Sequence, residues 1–254
     1  KECPLPKTLQ QKLKNADDIP AKYKRWKTMP ISIVILEEDG KLKVLERAPR
    51  VFCYLATSLD FNLKFAFNAE FLLDSARMHL RQGQLPDAWN GFILECMVTE
   101  QVNFLSALSV RHNSFWKGVF NVLTNKFHVP DQFSVSCQNS FDAAVAANSL
   151  VVNMPYKHVK QLKGMKVDVH GFIREFGNDE LKAGCAHPEI ENRDLMLSLG
   201  AELFQTAEIL TQIKQAWFLD RIKDPATNSK FVKFIITLAA RLKGQAKLKL
   251  EQFF

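Results

Sequence analysis

Three groups of side chains in this 254-residue chain have types and spacing that could do chemistry. The first is Cys185-Ala186-His187, a thiol two positions from an imidazole. A cysteine nucleophile needs a base within hydrogen-bond reach, and closeness in sequence does not supply that geometry. Zinc would need a second pair of ligands, and none stands nearby. No HExxH, GxSxG or two-metal carboxylate cluster accompanies the pair. A thiol enzyme is therefore the third reading of the chain, and no catalytic residue, metal or cofactor is expected.

The second group is Lys22-Tyr23-Lys24-Arg25-Trp26-Lys27, four cations and two aromatics in six residues. Cations neutralise phosphates and release counterions, while aromatic faces stack on unpaired bases. Pro20 and Pro30 flank this stretch and predict an extended arm, unless Trp26 pins it to the core. The third group holds Lys157, Lys160, Lys163 and Lys166, with Tyr156 and His158 alongside. Spacing of three keeps neighbouring lysines near one side of a helical turn. So many like charges repel unless an anion lies over them, and lysine suits phosphate contact with little base specificity. The candidate nucleic-acid-binding residues are thus Lys22, Tyr23, Lys24, Arg25, Trp26, Lys27, Tyr156, Lys157, Lys160, Lys163 and Lys166. Arg47, Arg50, Arg111, His112 and Lys117 are weaker additions. Single-stranded RNA is the expected partner, because stacking platforms need unpaired bases.

Charge placement points the same way. The chain carries a net +7, but residues 1–28 hold eight Lys or Arg against three carboxylates, and residues 221–254 hold eight against two. The ends are therefore +5 and +6, and the 192 residues between them are −4. Such asymmetry suggests nucleic acid or an anionic surface. Exposed termini are also lysine-rich for solubility alone, so the pattern names a class of partner and nothing finer.

The elements that must position these residues are mostly helical. Leu5, Leu9 and Leu13 predict a short helix with one apolar edge. Ile31–Leu36, an Asp39-Gly40 turn and the alternating Lys41–Glu46 predict a β-hairpin. Residues 51–67 fit strand or helix. Beyond Asn68 the periodicity predicts helices at 69–82, 86–111, a segment from Ser114, a single long run at 192–223 with Leu199, Leu203, Leu210, Ile213 and Trp217 as its stripe, and 231–242. In that last helix Phe231, Phe234, Ile235, Leu238 and Leu242 share a face between basic flanks. Such a face fits packing on its own domain, an anionic membrane surface or a partner groove. Gly83, Gly177, Gly184 and Gly244 stand where helix C-caps belong, and no glycine spacing builds a phosphate loop.

No apolar run reaches the length of a membrane span, no apolar core follows the basic N-terminus as in a secretory signal, and five scattered cysteines without a CxxC pair fit a reducing, cytoplasmic compartment. The expected fold is mainly α: a compact helical body at 31–223 with a hairpin at 31–46, a basic N-terminal arm at 1–30 and a C-terminal basic helix and tail at 224–254. The function expected is that of a non-enzymatic, self-assembling, nucleic-acid-binding protein of coat or nucleocapsid type. Phe231, Phe234, Leu238, Phe253 and Phe254 are its expected oligomerisation residues. A helical matrix-like protein that meets a membrane surface or a protein partner is the alternative.

Overall fold

The computed structural model describes residues 1–17, 19–47, 50–111, 114–154 and 159–242. The first 34 residues form β1 (Glu2–Pro4), α1 (Lys7–Asn15), α2 (Ala21–Lys24) and β2 (Thr28–Val34). The leucine spacing makes α1 as expected, and Leu9 and Leu13 are buried on its inner edge together with Leu5. β1 runs antiparallel to β2 with Cys3 opposite Met29, and Leu5 N–H donates to Lys27 O at 2.8 Å. Residues 1–30 are therefore part of the body and not an extended arm, which corrects the expectation from the flanking prolines. The reason is burial: Leu5, Leu9, Leu13, Ile19, Tyr23 and Met29 all enter the core. Each such side chain contributes roughly 1.5–3 kcal/mol that a solvated arm would forgo.

The Asp39-Gly40 turn joins β3 (Leu36–Glu38) to β4 (Lys41–Lys43), with φ of 52° and 73° at its two central residues. Two positive φ values are what a tight type I′ hairpin requires. The hairpin is shorter than the sequence suggests, because Ile31 to Val34 belong to β2 and pair elsewhere. β5 (Val51–Cys53), β6 (Leu55–Ala56) and β7 (Ala66–Ala69) complete a five-stranded sheet in the order β1-β2-β7-β5-β6. In it Ile31 lies opposite Ala69 and β5 runs parallel to β7. The ambiguous stretch 51–67 resolves to extended chain. Phe61, Leu63, Phe65 and Phe67 are buried at alternate positions, a period of two that no helix can present.

Residues 70–82 are not the amphipathic helix expected, but a loop bridged by Leu73 and Leu80. The backbone groups that a helix would use are taken. Asn90 accepts from Leu72 N–H and donates to Leu72 O, both at 2.9 Å. Asp74 Oδ1 accepts from Met78 N–H at 2.9 Å. Polar side chains that bind backbone in this way compete with helix formation. Gly83, at φ 128°, consequently precedes a helix instead of ending one.

α3 (Gln84–Arg111) follows as expected and is the central support of the fold. Trp89, Ile93, Leu94, Met97, Val98, Val102 and Leu105 are all buried along it. Gln101, fully buried, repeats the Asn90 device: it donates to Thr124 O at 2.9 Å and accepts from Thr124 N–H at 3.1 Å. α4 (Val119–Val122) meets β4, while α5 (Asp131–Ala147) and β8 (Ser149–Val152) pack on α3, and Gly91 lets the Phe133 ring approach to where a Cβ would be 3.2 Å away.

The remaining elements are β9 (Val159–Gln161), β10 (Lys166–Val167), α6 (Phe172–Phe176), α7 (Asp179–Ala183), α8 (Arg193–Ser198), β11 (Glu202–Leu203), α9 (Thr206–Ile213), α10 (Ala216–Arg221) and α11 (Pro225–Leu242). The single run expected at 192–223 is broken into α8, α9 and α10. Gly200 at φ 109° interrupts it, and Leu203 sits on β11, 40% exposed. The buried set is instead Leu195, Met196, Phe204, Ile209 and Phe218. A second core gathers Phe172, Ile173, Phe176, Cys185, Phe204, Ile209, Phe218 and Leu238, with Phe231 and Phe234 at its edge. Gly177 and Gly184 end α6 and α7 as C-caps, while Gly244 lies outside the described residues. The fold is thus α-rich but mixed: about 48% helix, with eleven α-helices and several small sheets among the described residues.

Candidate nucleic-acid interface

The basic-aromatic segment folds as one helical turn, α2, with its aromatics turned inward. Tyr23 is 9% exposed and half-buried Trp26 meets it edge-on at 5.0 Å; both lie against Trp89, at 5.5 and 6.0 Å. The two stacking candidates are therefore anchors to α3, which corrects their expected role. Lys22 is exposed, but its Nζ is 3.0 Å from Glu70 Oε2, a carboxylate whose side chain is only 7% exposed. The Glu70 hydrogen bond holds the Lys22 ammonium above its ordinary pKa. Burial, then Glu70, pushes the Tyr23 hydroxyl up to about 12. Lys22 Nζ also lies 5.3 Å from the ring of Tyr54 and 3.4 Å from its hydroxyl. Glu70 and Tyr54, 48 and 32 positions away, could not be read beside Lys22 in the sequence. Arg25 and Lys27 remain exposed and Lys24 is half-buried.

The lysine row is not helical. Lys160 lies on β9, Lys163 in the turn after it and Lys166 on β10; Tyr156 and Lys157 lie outside the described residues. Lys166 Nζ is 2.5 Å from Glu202 and 3.3 Å from Glu208, and Glu202 first, then Glu208, raises its pKa. An ammonium so answered has little charge to offer a phosphate, so among the described residues of the row Lys160 and Lys163 stay exposed for one. Of the weaker additions, Arg50 donates to Leu63 O at 2.6 Å and Lys117 is 2.5 Å from Glu189. Arg47 is exposed, and the Arg111 side chain and His112 lie outside the described residues.

A basic groove that the sequence reading missed opens between α6 and α11, with a volume of about 340 Å³. Lys230, Lys233, Thr237 and Arg241 line it from α11 at intervals of three and four, which place them along one helix face. From the opposite wall come His170 and Arg174. Arg174 Nε pairs with Glu175 at 3.0 Å, whereas no described carboxylate forms an ion pair with Lys230, Lys233 or Arg241. Asp168 sets the α6 wall: its carboxylate accepts from the N–H groups of Gly171 (2.8 Å), Phe172 (3.0 Å) and Arg174 (3.1 Å). The floor is aromatic, with Phe234 on α11 5.8 Å from Phe172 and 5.5 Å from Phe176. The spacing on α11 is legible in the sequence, but Arg174 and His170 are joined to it only by the second core.

His170 gives the groove a pH response. Burial foremost, with help from Arg241 and against Asp168, lowers its pKa below the usual 6.5. A histidine lowered on folding contributes stability that is fully present above its unfolded value of about 6.5 and is lost as pH falls toward the folded value. A polyanion in the groove would favour the protonated ring, so its affinity would rise as pH drops below about 6.5. In a His170→Gln variant, affinity measured over that range should lose this increment; an unchanged profile assigns the effect to another group.

The expected oligomerisation residues Phe231, Phe234 and Leu238 serve the chain's own second core. Phe231 lies 4.9 Å from Phe218 and Leu238 is 3% exposed, which corrects their role. Phe253 and Phe254 lie outside the described residues. Cys185 is fully buried, and burial, with Asp168 adding, pushes its thiol up to about 12. That holds it neutral, the opposite of what a nucleophile needs. The His187 ring packs edge-on to Trp116 at 4.8 Å. Among the described residues no group of three or more metal-ligating side chains converges, and no helix is long and apolar enough to cross a membrane. No family model, curated protein or solved structure matches the chain.

Proposed function

We propose that the protein binds single-stranded nucleic acid without catalysing a reaction, as coat and nucleocapsid proteins do, and that the α6–α11 groove takes the phosphate backbone. One observation carries this reading: Lys230, Lys233 and Arg241, with which no described carboxylate forms an ion pair, share one face of α11 and line a single concave strip. At 1.5 Å per residue, Lys230 to Arg241 spans about 16 Å, too long for one phosphate and suited to a chain of them. Unpaired like charges held this close are stabilised by an anion that runs along them. Contacts of this kind position a backbone and carry no sequence information.

The membrane-surface alternative is less well supported, because the apolar face of α11 leans on Phe172, Phe176 and Phe218. Self-assembly completes the proposal. Val232 and Ile236, one turn apart on α11 and 47% and 64% exposed, are apolar side chains that the chain's own core does not use.

The test is fluorescence anisotropy of a labelled oligouridylate at increasing salt. Three phosphate contacts by Lys230, Lys233 and Arg241 give a slope of log K against log salt of about −2, at roughly 0.7 per contact for a single strand. Absent or salt-independent binding overturns the proposal. Light scattering on nucleic-acid-free protein reads the second part, and a monomer at every concentration removes self-assembly.

A further inference from the structure

Tyr54 stands at the turn between β5 and β6 with 67% of its surface exposed and φ at 61°, a backbone region that L-residues other than Asn and Asp rarely adopt. Three side chains from elsewhere hold it there. Asn68 Oδ1 accepts from Tyr54 N–H at 3.2 Å. Lys22 Nζ donates to the Tyr54 hydroxyl at 3.4 Å, with the ammonium 5.3 Å from the ring centroid. Arg77 braces both sides of the turn, donating to the carbonyls of Cys53 (2.6 Å) and Leu55 (3.3 Å). Backbone strain that the surroundings over-determine in this way clusters at ligand clamps and switch regions. Leu55, also 67% exposed, extends the apolar surface beside it.

We infer that Tyr54 is a stacking platform for an unpaired base, a reading that rests on the nucleic-acid proposal above and says which part of the strand is recognised here. Charge complementarity selects this occupant over an apolar peptide. Lys22 on α2 touches the platform and is answered by Glu70, while Arg25 and Lys27, three and five positions on, stay exposed. An aromatic face beside a cluster of cations is the arrangement by which single-strand binders hold base and backbone together. Tyr54 thus takes the part that the sequence suggested for Tyr23 and Trp26, which are consumed in anchoring α2.

The test compares two ligands of equal length and charge, an oligouridylate and an abasic strand, by anisotropy. Tyr54→Ala should weaken oligouridylate binding by roughly 5- to 150-fold, the loss of one base stack, and leave both the abasic affinity and the salt slopes unchanged. Tyr54→Phe, which keeps the ring, should bind both strands as the unmodified protein does. Equal weakening on the two strands, or none on either, overturns the platform while the groove reading stands. Failure of the unmodified protein to bind either strand overturns the groove reading and the platform together.

Discussion

Phe172→Ala should destabilise the protein by about 3–5 kcal/mol and abolish polyanion binding with it. The Phe172 ring is fully buried at the centre of the second core, 5.7 Å from Phe176, 6.1 Å from Phe204, 5.7 Å from Phe218 and 5.8 Å from Phe234. Deleting it removes the transfer free energy of a large aromatic and leaves a cavity among rings from α6, α10, α11 and the β11–α9 link that cannot all close it. A loss of this size is a large fraction of the roughly 5–15 kcal/mol that holds a native domain together. The functional consequence follows from position. Phe172 lies two residues from both His170 and Arg174, and its contact with Phe234 sets α11 against α6, so both walls of the groove depend on one ring. Urea unfolding should show a lowered midpoint with an unchanged slope. A loss below about 1 kcal/mol would mean that the aromatic cluster does not support the groove.

Charge reversal along α11 should do the converse, removing binding while sparing the fold. Lys230→Glu, Lys233→Glu and Arg241→Glu together change three exposed side chains that form no ion pair among the described residues, so stability should stay within about 0.5 kcal/mol per site. Three charge-assisted contacts at about 1.5 kcal/mol each give an affinity loss on the order of a thousandfold at low salt. The salt slope should fall by about 2, since each lost phosphate contact takes roughly 0.7 from it. Lys160→Glu with Lys163→Glu is the comparison, because the pair is exposed and does not line the groove. If that pair, and not the α11 set, lowers the slope, the backbone runs over β9 and the groove is a solvated face. The two experiments separate cleanly: one variant loses the fold and binding together, the other binding alone.

Local chemistry was legible in this chain wherever the deciding contacts are local. Leu9 and Leu13 made α1, Asp39-Gly40 made its turn, and the long apolar run made α3. The same reading failed where a distant side chain took over the backbone. Residues 70–82 carry helical periodicity, yet Asn90 occupies Leu72 from a helix that follows later in the chain. The stripe at 199–217 also looks helical until Gly200 breaks it and Phe204 and Phe218 take the core positions.

By itself the sequence determined that the charge sits in two basic ends, that the last helix carries an apolar face between basic flanks, and that the chain holds no phosphate-loop spacing, HExxH or GxSxG. Those are statements about residue type and spacing, and spacing survives whatever the rest of the chain does. Only the tertiary structure decided which cations are available. Glu70 answers Lys22, Glu202 and Glu208 answer Lys166, and Lys230, Lys233 and Arg241 are left to face Arg174 across a groove. The physical reason is that a charge is active or silent according to what stands within about 4 Å of it. In these pairs the partner is dozens of residues away along the chain, brought there by the burial of aromatics that carry no charge at all.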